Sequence, residues 1–383
     1  MKFSSQSLVL TLLAFTNEVF AAGVVGNATG FAAGTTGGGS STPVYPKDIN
    51  ELTSYLTDST PRVIVLNKEY NFIGSEGETT EDGCRPDSNK CPGNGGQDAI
   101  NGANWCTNSN YPSVKVTYDK AAISPINIKS NKSIIGEGNK GVIRGKGLRI
   151  ANGAKNVIIQ NIHITELNPQ YIWGGDAITL VGTDQVWIDH VKTSLIGRQH
   201  IVLGYDPSNG VTISNTEIDG STSWSASCDN HHYWALLFIG TGDKITFQGN
   251  YIHHTSGRSP KVGGTGSGTL LHAVNNYWYE NSGHAFDVSE NGKVIAEGNV
   301  FQNVKTPLNA GSDKVFSAPD ANSNKACQSA LGYVCAVNSL TGSGSLTGST
   351  TSFLSSFKGE NVTPLSASKV AASVKANAGV GKI

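Results

Sequence analysis

Short runs of β-branched and aliphatic residues recur along this chain, most of them closed by Asn, Gly or His. Ile134-Ile135, Val157-Ile158-Ile159-Gln160-Asn161-Ile162, Val186-Trp187-Ile188-Asp189-His190-Val191 and Val211-Thr212-Ile213-Ser214-Asn215 come first. Similar runs follow from Ile245, Leu271 and Val294, so that starts are 23 to 34 residues apart. One short strand cannot bury an apolar inner face alone, but stacked coils of 20 to 50 residues can. The pattern therefore predicts an all-β, single-domain, right-handed parallel β-helix. Asn at equivalent turns is expected to hydrogen-bond from coil to coil. A β-sandwich also spaces its strands regularly, but its strands alternate with a polar outer face, whereas these runs are nearly continuously apolar. The longest interval, between 211 and 245, holds Trp224, Cys228, His231, His232, Tyr233 and Trp234. It predicts an inserted loop, and in solenoids such insertions collect on one face and form a cleft. The Gly/Ser/Thr-rich stretch from Leu340 to Ser352 predicts a surface connector to a tail that packs back on the solenoid.

The N-terminus changes the picture by supplying a compartment. Lys2, the apolar run Leu8 to Phe15, and Val19-Phe20-Ala21-Ala22 read as a signal peptide over residues 1–21, leaving a domain over 22–383. Cleavage falls after Ala21 or Ala22. Asn17 and Glu18 interrupt the run well before the length needed to span a membrane. A secreted, extracellular protein is expected, and its six cysteines are then disulfide-bonded. Cys84, Cys91 and Cys106 cluster, Cys228 stands alone, and Cys327 and Cys335 form a close couple; spacing leaves all 15 connectivities open. No CxxC occurs, which argues against zinc. Asn27, Asn131 and Asn361 head glycosylation sequons. The net charge is −1, 15% of residues are charged, and no basic run appears, so a nucleic-acid partner is not expected. A monomer acting away from membranes fits these features.

Four segments concentrate residues that can do chemistry: Trp173-Gly174-Gly175-Asp176; Trp187-Ile188-Asp189-His190 with Gly197-Arg198-Gln199-His200; Cys228-Asp229-Asn230-His231-His232-Tyr233-Trp234; and Ser256-Gly257-Arg258-Ser259-Pro260-Lys261. Arg198 and Arg258 are 60 residues apart, and Asp176 lies 22 before Arg198. Both intervals approach whole numbers of coils, so the three are expected to stack on one face. Plainer roles are assigned elsewhere. Trp187 reads as core, Asp189 and His190 as a structural pair, and His253 and His254 lack metal-ligand spacing. Asp176 has a plain alternative, the bonding of turn amides.

These segments resemble the polysaccharide lyase family of pectin and pectate lyases, specifically its fungal-type pectin lyases, from about Gly23 to the C-terminus. The resemblance implies β-elimination of methyl-esterified galacturonan, with Arg258 as base, Lys261 and Arg198 beside it, and Asp176 near. It implies the bridges Cys84–Cys106, Cys91–Cys228 and Cys327–Cys335. It also places Trp105, Trp173 and Trp234 in the cleft, with Tyr233 as a further substrate contact. The chemistry fits: the proton α to a carbonyl needs a base, and the developing enolate oxygen needs a cation. An arginine base needs neighbouring positive charge and desolvation, both of which disfavour the charged form. Pectate lyases use calcium, which takes 6–8 oxygen ligands that Asp176 alone cannot supply. Arg198 stands where those relatives present acidic ligands, so no metal and no cofactor are expected. The chain departs from the family at Arg85 to Lys90, where a further Trp is usual, and at Leu237 and Ile239, where a Tyr and an Asp are usual. Three rivals remain: a polygalacturonase, whose paired-carboxylate motifs are missing; a calcium-dependent pectate lyase; and a non-catalytic sugar-binding solenoid, which needs no clustered cations.

Overall fold

The computed structural model describes residues 23–92, 95–264, 266, 268–360 and 362–383. The expected signal peptide and the Asn361 sequon lie outside them. The strands anticipated from the apolar runs stack in parallel, in register, into one ten-stranded sheet. Val157, Val186, Val211, Ile245, Leu271 and Val294 are successive partners, and all are buried. A second inward stack runs Ile64, Ile134, Ile159, Ile188, Ile213, Phe247, Ala273 and Ala296. The first coil start is therefore displaced: Val157 pairs with Lys132, not with Ile134.

A fifteen-stranded sheet supplies the other two walls, joined through the long strand Tyr277–Val288. One wall turns Ile143, Ile164, Ile218, Ile252, Trp278 and Phe301 inward; the other turns in Ile150, Leu180, Leu203, Phe238, Val262 and Val288. All belong to one continuous core. This is a parallel β-helix.

The corner after the first sheet explains the Asn and Gly that close each run. Asn161, His190, Asn215, Gly249, Asn275 and Gly298 all sit there with φ between 44° and 67°, the left-handed region that Asn and Gly enter most readily. His190 is the variant at this corner, which accounts for its bond to Asp189 at 2.6 Å as a structural pair. One residue further on, Asn250, Asn276, Asn299 and Asn338 form the expected ladder, with amide bonds of 2.9, 3.1 and 3.0 Å.

The continuously apolar runs have a second cause. The outward residues of the ten-stranded sheet, Ile158, Trp187, Thr212, Thr246, His272 and Ile295, are also buried. Residues 24–38 cover the first part: Ala28 and Ala32 pack on Ile158 and Trp187, while the Ala32 and Gly38 amides donate to Thr212 and Ser133. Gly30 passes so close that a Cβ would lie 2.1 Å from the Thr246 hydroxyl. Trp187 is thus core, as read from the sequence, in a cluster on the outer side of the sheet under this strap. The tail covers the rest through Phe353, Leu354 and Phe357, and Glu360 is hydrogen-bonded to buried His272, itself bonded to Glu297. His272 is accordingly pushed up to about 10, the two carboxylates outweighing its burial. The helix Ala367–Asn377 packs Val370 and Val374 on Tyr277 and Val300. The connector from Leu340 is only partly a loop, since Ser339–Thr341 adds a final strand beside Val300–Leu308.

The three cysteine pairs are Cys84–Cys106, Cys91–Cys228 and Cys327–Cys335. The second spans 137 residues and ties the inserted loop before Trp234 to a small sheet in which Glu78–Cys84 and Ser113–Asp119 run antiparallel. Replacing both Cys91 and Cys228 by Ala is expected to lower stability by about 2–5 kcal/mol, because so long a loop gains most chain entropy when freed. Denaturant melts test this; a midpoint and slope equal to those of the parent would rule it out. Of the sequons in view, Asn27 is exposed, whereas Asn131 is half-buried and its side-chain oxygen accepts from Asn156. No helix among the described residues is long and apolar enough to cross a membrane.

Candidate active site

The strands Ile178–Val181, Ile201–Leu203, Leu236–Phe238 and Lys261–Val262 pair in that order. In this register Asp176, Gln199, Trp234 and Arg258 each stand at the same place, two residues before the aligned position, in four successive coils. Arg198 is offset by one. The cross-coil stacking expected from the sequence intervals thus holds for Asp176 and Arg258, while Gln199 takes the place expected for Arg198 and Trp234 lies in the coil between the two arginines.

The guanidinium of Arg198 lies 3.6 Å from the ring centroid of Trp173, and that of Arg258 lies 4.9 Å from Trp234 and 5.7 Å from Tyr233. Cations on aromatic faces are attracted by the ring quadrupole, more so when desolvated. Trp105, Tyr111, Trp173 and Trp234 all pack on the Cys84–Cys106 bridge, Ala99 and Ile172. The cysteine-rich insertion thus contributes Trp105 and Tyr111 to an aromatic cluster that Trp173 and Trp234 complete. Trp173 and Arg258 have φ of 66° and 41°, a costly conformation for such side chains that clusters at functional sites.

Asp176 lies 3.8 Å from Arg198 and accepts the Gln199 amide at 2.9 Å. The plain role weighed for it in the sequence, the bonding of an amide, is present, beside its contact with Arg198. Burial raises its pKa against the opposing pull of Arg198 and that amide. Burial lowers the pKa of Arg198, Asp176 opposes this, and the charge of Arg258 adds to the lowering. Lys261 pairs with Asp287 at 3.5 Å, whereas Arg258 forms no ion pair among the described residues. Leu237 is turned outward between the core residues Leu236 and Phe238, beside Val202 and Lys261. It is buried, so the floor next to Lys261 is apolar where the family pattern has a Tyr. A recess of about 250 Å³ is lined by Arg149, Trp173, Asp176, Thr179 and Arg198. Within the divergent segment Arg85 to Lys90, Arg85 binds Asp98 through two nitrogens.

Several contributors were not legible in the sequence. His232 is buried, and its Nε2 lies 2.6 Å from the Arg198 carbonyl and 3.1 Å from that of Trp234. That nitrogen must donate, so one ring ties two site residues from adjacent coils. His284 accepts the Arg258 amide at 3.1 Å. Tyr111 packs tilted against Trp105, with ring centroids 5.2 Å apart. Only the coil interval relates these positions to the arginines, and it names no role for them.

His253 has neighbours that spacing along the chain does not reveal. Spacing along the chain gave it no ligand partners, yet stacking brings it together with Glu217 and Asp219 within 4.8 Å. The charge there is met by Lys192, whose Nζ lies 2.9 and 3.1 Å from the two carboxylates. Burial depresses the Lys192 pKa, but these carboxylates raise it further. The group is an ion-pair network on the solenoid's flank.

Comparison with known proteins agrees with this architecture. A family profile described as "Pectate lyase" matches residues 100–383. Pectin lyase B of Emericella nidulans is 55% identical over 98% of both chains. The probable pectin lyase A of Aspergillus terreus is 53% identical over the full length of both. Pectate lyase structures from Xanthomonas campestris and Acidovorax avenae superpose with TM-scores of 0.57 and 0.56. They cover 93% and 97% of this chain and 99% of each of theirs, at 20% and 17% identity, a likeness of fold alone. On the family profile and the full-length identity to relatives named pectin lyases, this chain belongs to the pectate lyase family.

Proposed function

We propose that this protein is a secreted pectin lyase, a single β-helix domain over residues 22–383 that follows a signal peptide over 1–21. It acts as a monomer on methyl-esterified galacturonan, with neither nucleic acid nor membrane as partner. The observation that carries this reading is the pair of guanidinium groups, Arg198 and Arg258, held on Trp173 and Trp234 with Asp176 against Arg198.

The reaction follows from that arrangement. Arg258 takes the proton from C5 of a uronate ester. The C–H electrons pass through the enolate into a C4–C5 double bond as the C4–O bond breaks. The departing oxygen takes a proton from solvent, and the proton on Arg258 returns to solvent. Charge building on the ester oxygen is stabilised by Arg198 and Lys261, preorganised donors in a site of low dielectric. Asp176 orients Arg198, while Trp105, Trp173, Trp234 and Tyr233 offer apolar faces to sugar rings. A neutral ester also leaves the C5 proton more acidic than a carboxylate would. Calcium is not required, because Arg198 supplies a permanent charge.

Elimination leaves an unsaturated, ultraviolet-absorbing end on each product, and hydrolysis leaves none. Absorbance rising in step with reducing ends on highly methylated pectin is the expected result. Reducing ends without absorbance would indicate a hydrolase and overturn the proposal.

A further inference from the structure

Arg258 is held by its backbone from two sides. Its carbonyl accepts the Leu236 amide at 2.7 Å, and its own amide donates to Nε2 of His284 at 3.1 Å. The first bond lies just before the strand Lys261–Val262 and continues its pairing with Leu236–Phe238. The second is made by a side chain 26 residues further on, one coil below. Around this bond there is no slack. A Cβ on Gly257 would lie 2.5 Å from the Tyr233 ring and 3.1 Å from the His284 ring. Tyr233 meets His284 edge-on at 5.9 Å and also faces the Arg258 guanidinium. The left-handed φ of Arg258, 41°, is costly for a long side chain, so it persists only where the surroundings hold it.

We propose that His284 is a positioning residue whose unprotonated Nε2 fixes the backbone of Arg258, so that protonation of the ring releases the arginine and shuts down elimination. This rests on the reading of Arg258 as the base. An N–H donor requires a lone pair, so the hydrogen of the neutral ring sits on Nδ1. The charged groups acting on the ring are Asp287 from its own strand and Arg258 and Lys261 from the adjoining coil; the titratable Tyr233 packs on its edge. Burial lowers the His284 pKa, Asp287 opposes this, and the two cations lower it further. The ring is therefore neutral at and above its ordinary range. The latch is lost as pH falls through the depressed folded value.

The test compares kcat and KM on highly methylated pectin from about pH 4 to about pH 8, a span that brackets the ordinary histidine range. Wild type should show a one-proton acid limb in kcat, centred below 6.5. His284→Gln places a non-titrating oxygen near the Nε2 position, so its neutral-pH kcat should stay within about threefold while the limb disappears. His284→Ala removes the acceptor at every pH. It should lower kcat by about tenfold or more, with KM nearly unchanged, because a misplaced base costs rate more than binding. A Gln variant that keeps the wild-type acid limb overturns the proposal, as does an Ala variant with undiminished kcat. Full activity in Arg258→Ala would remove the base assignment itself. An inactive Arg258→Ala beside an unaltered limb in His284→Gln would remove only His284.

Discussion

Arg258→Ala should abolish eliminative cleavage of methylated pectin, lowering kcat by about 10²–10⁴-fold as expected for loss of a general base, and leave the fold intact. The separation follows from where the residue's interactions lie. The hydrogen bonds of its peptide group run through backbone atoms, to Leu236 and to the His284 ring, and alanine keeps both atoms. What is lost is the guanidinium, half-buried against Trp234 and Tyr233 and outside the solenoid core. Arg258→Lys should be nearly as inactive. A compact ammonium cannot reproduce the flat stacking or the reach of the guanidinium. Activity and circular dichroism on the same preparation provide the check. Substantial turnover in either variant would take Arg258 out of the base role.

The second large effect concerns substrate and metal together. Turnover on highly methylated pectin should exceed that on polygalacturonate, and saturating chelator should leave it nearly unchanged. Calcium sites need 6–8 oxygens, while the carboxylates seen here are already engaged: Asp176 with Arg198 and the Gln199 amide, Asp287 with Lys261. The Leu237 and Val202 floor and the tryptophans suit a neutral ester better than a polyanion. Arg198→Asp should reduce pectin cleavage by about 10²–10³-fold, the usual effect of losing one preorganised stabiliser of developing charge. It should not create calcium dependence, since one added carboxylate beside Asp176 still leaves the coordination sphere incomplete. Loss of wild-type activity on chelation, restored by calcium, would return the protein to the calcium-dependent pectate lyases.

The apolar runs at 23 to 34 residues were enough to predict stacked coils, because each run has the length of one strand and an apolar face that only neighbouring coils can bury. The Asn and Gly at their ends marked a corner that demands left-handed backbone, and the Asn ladder followed. The arginine motifs were equally legible, since a Gly-Arg-Ser-Pro-Lys turn places two cations within four residues. All of these are local signals, carried by residues close in the chain.

What only the tertiary structure decided are the relations across coils. Register put Trp234 between the two arginines and brought His232 and His284 to the backbones of Arg198, Trp234 and Arg258. It put the core residue Trp187 on the underside of an N-terminal strap, because alternation tells which residues share a face but not what covers it. It gathered Glu217, Asp219 and His253 around Lys192, a cluster that chain spacing hides. The coils differ in length by their inserted loops, so counting residues misplaces a neighbour by one or two positions, as at Lys132 and Val157. Hydrogen bonding between strands sets the alignment, and with it which side chains meet.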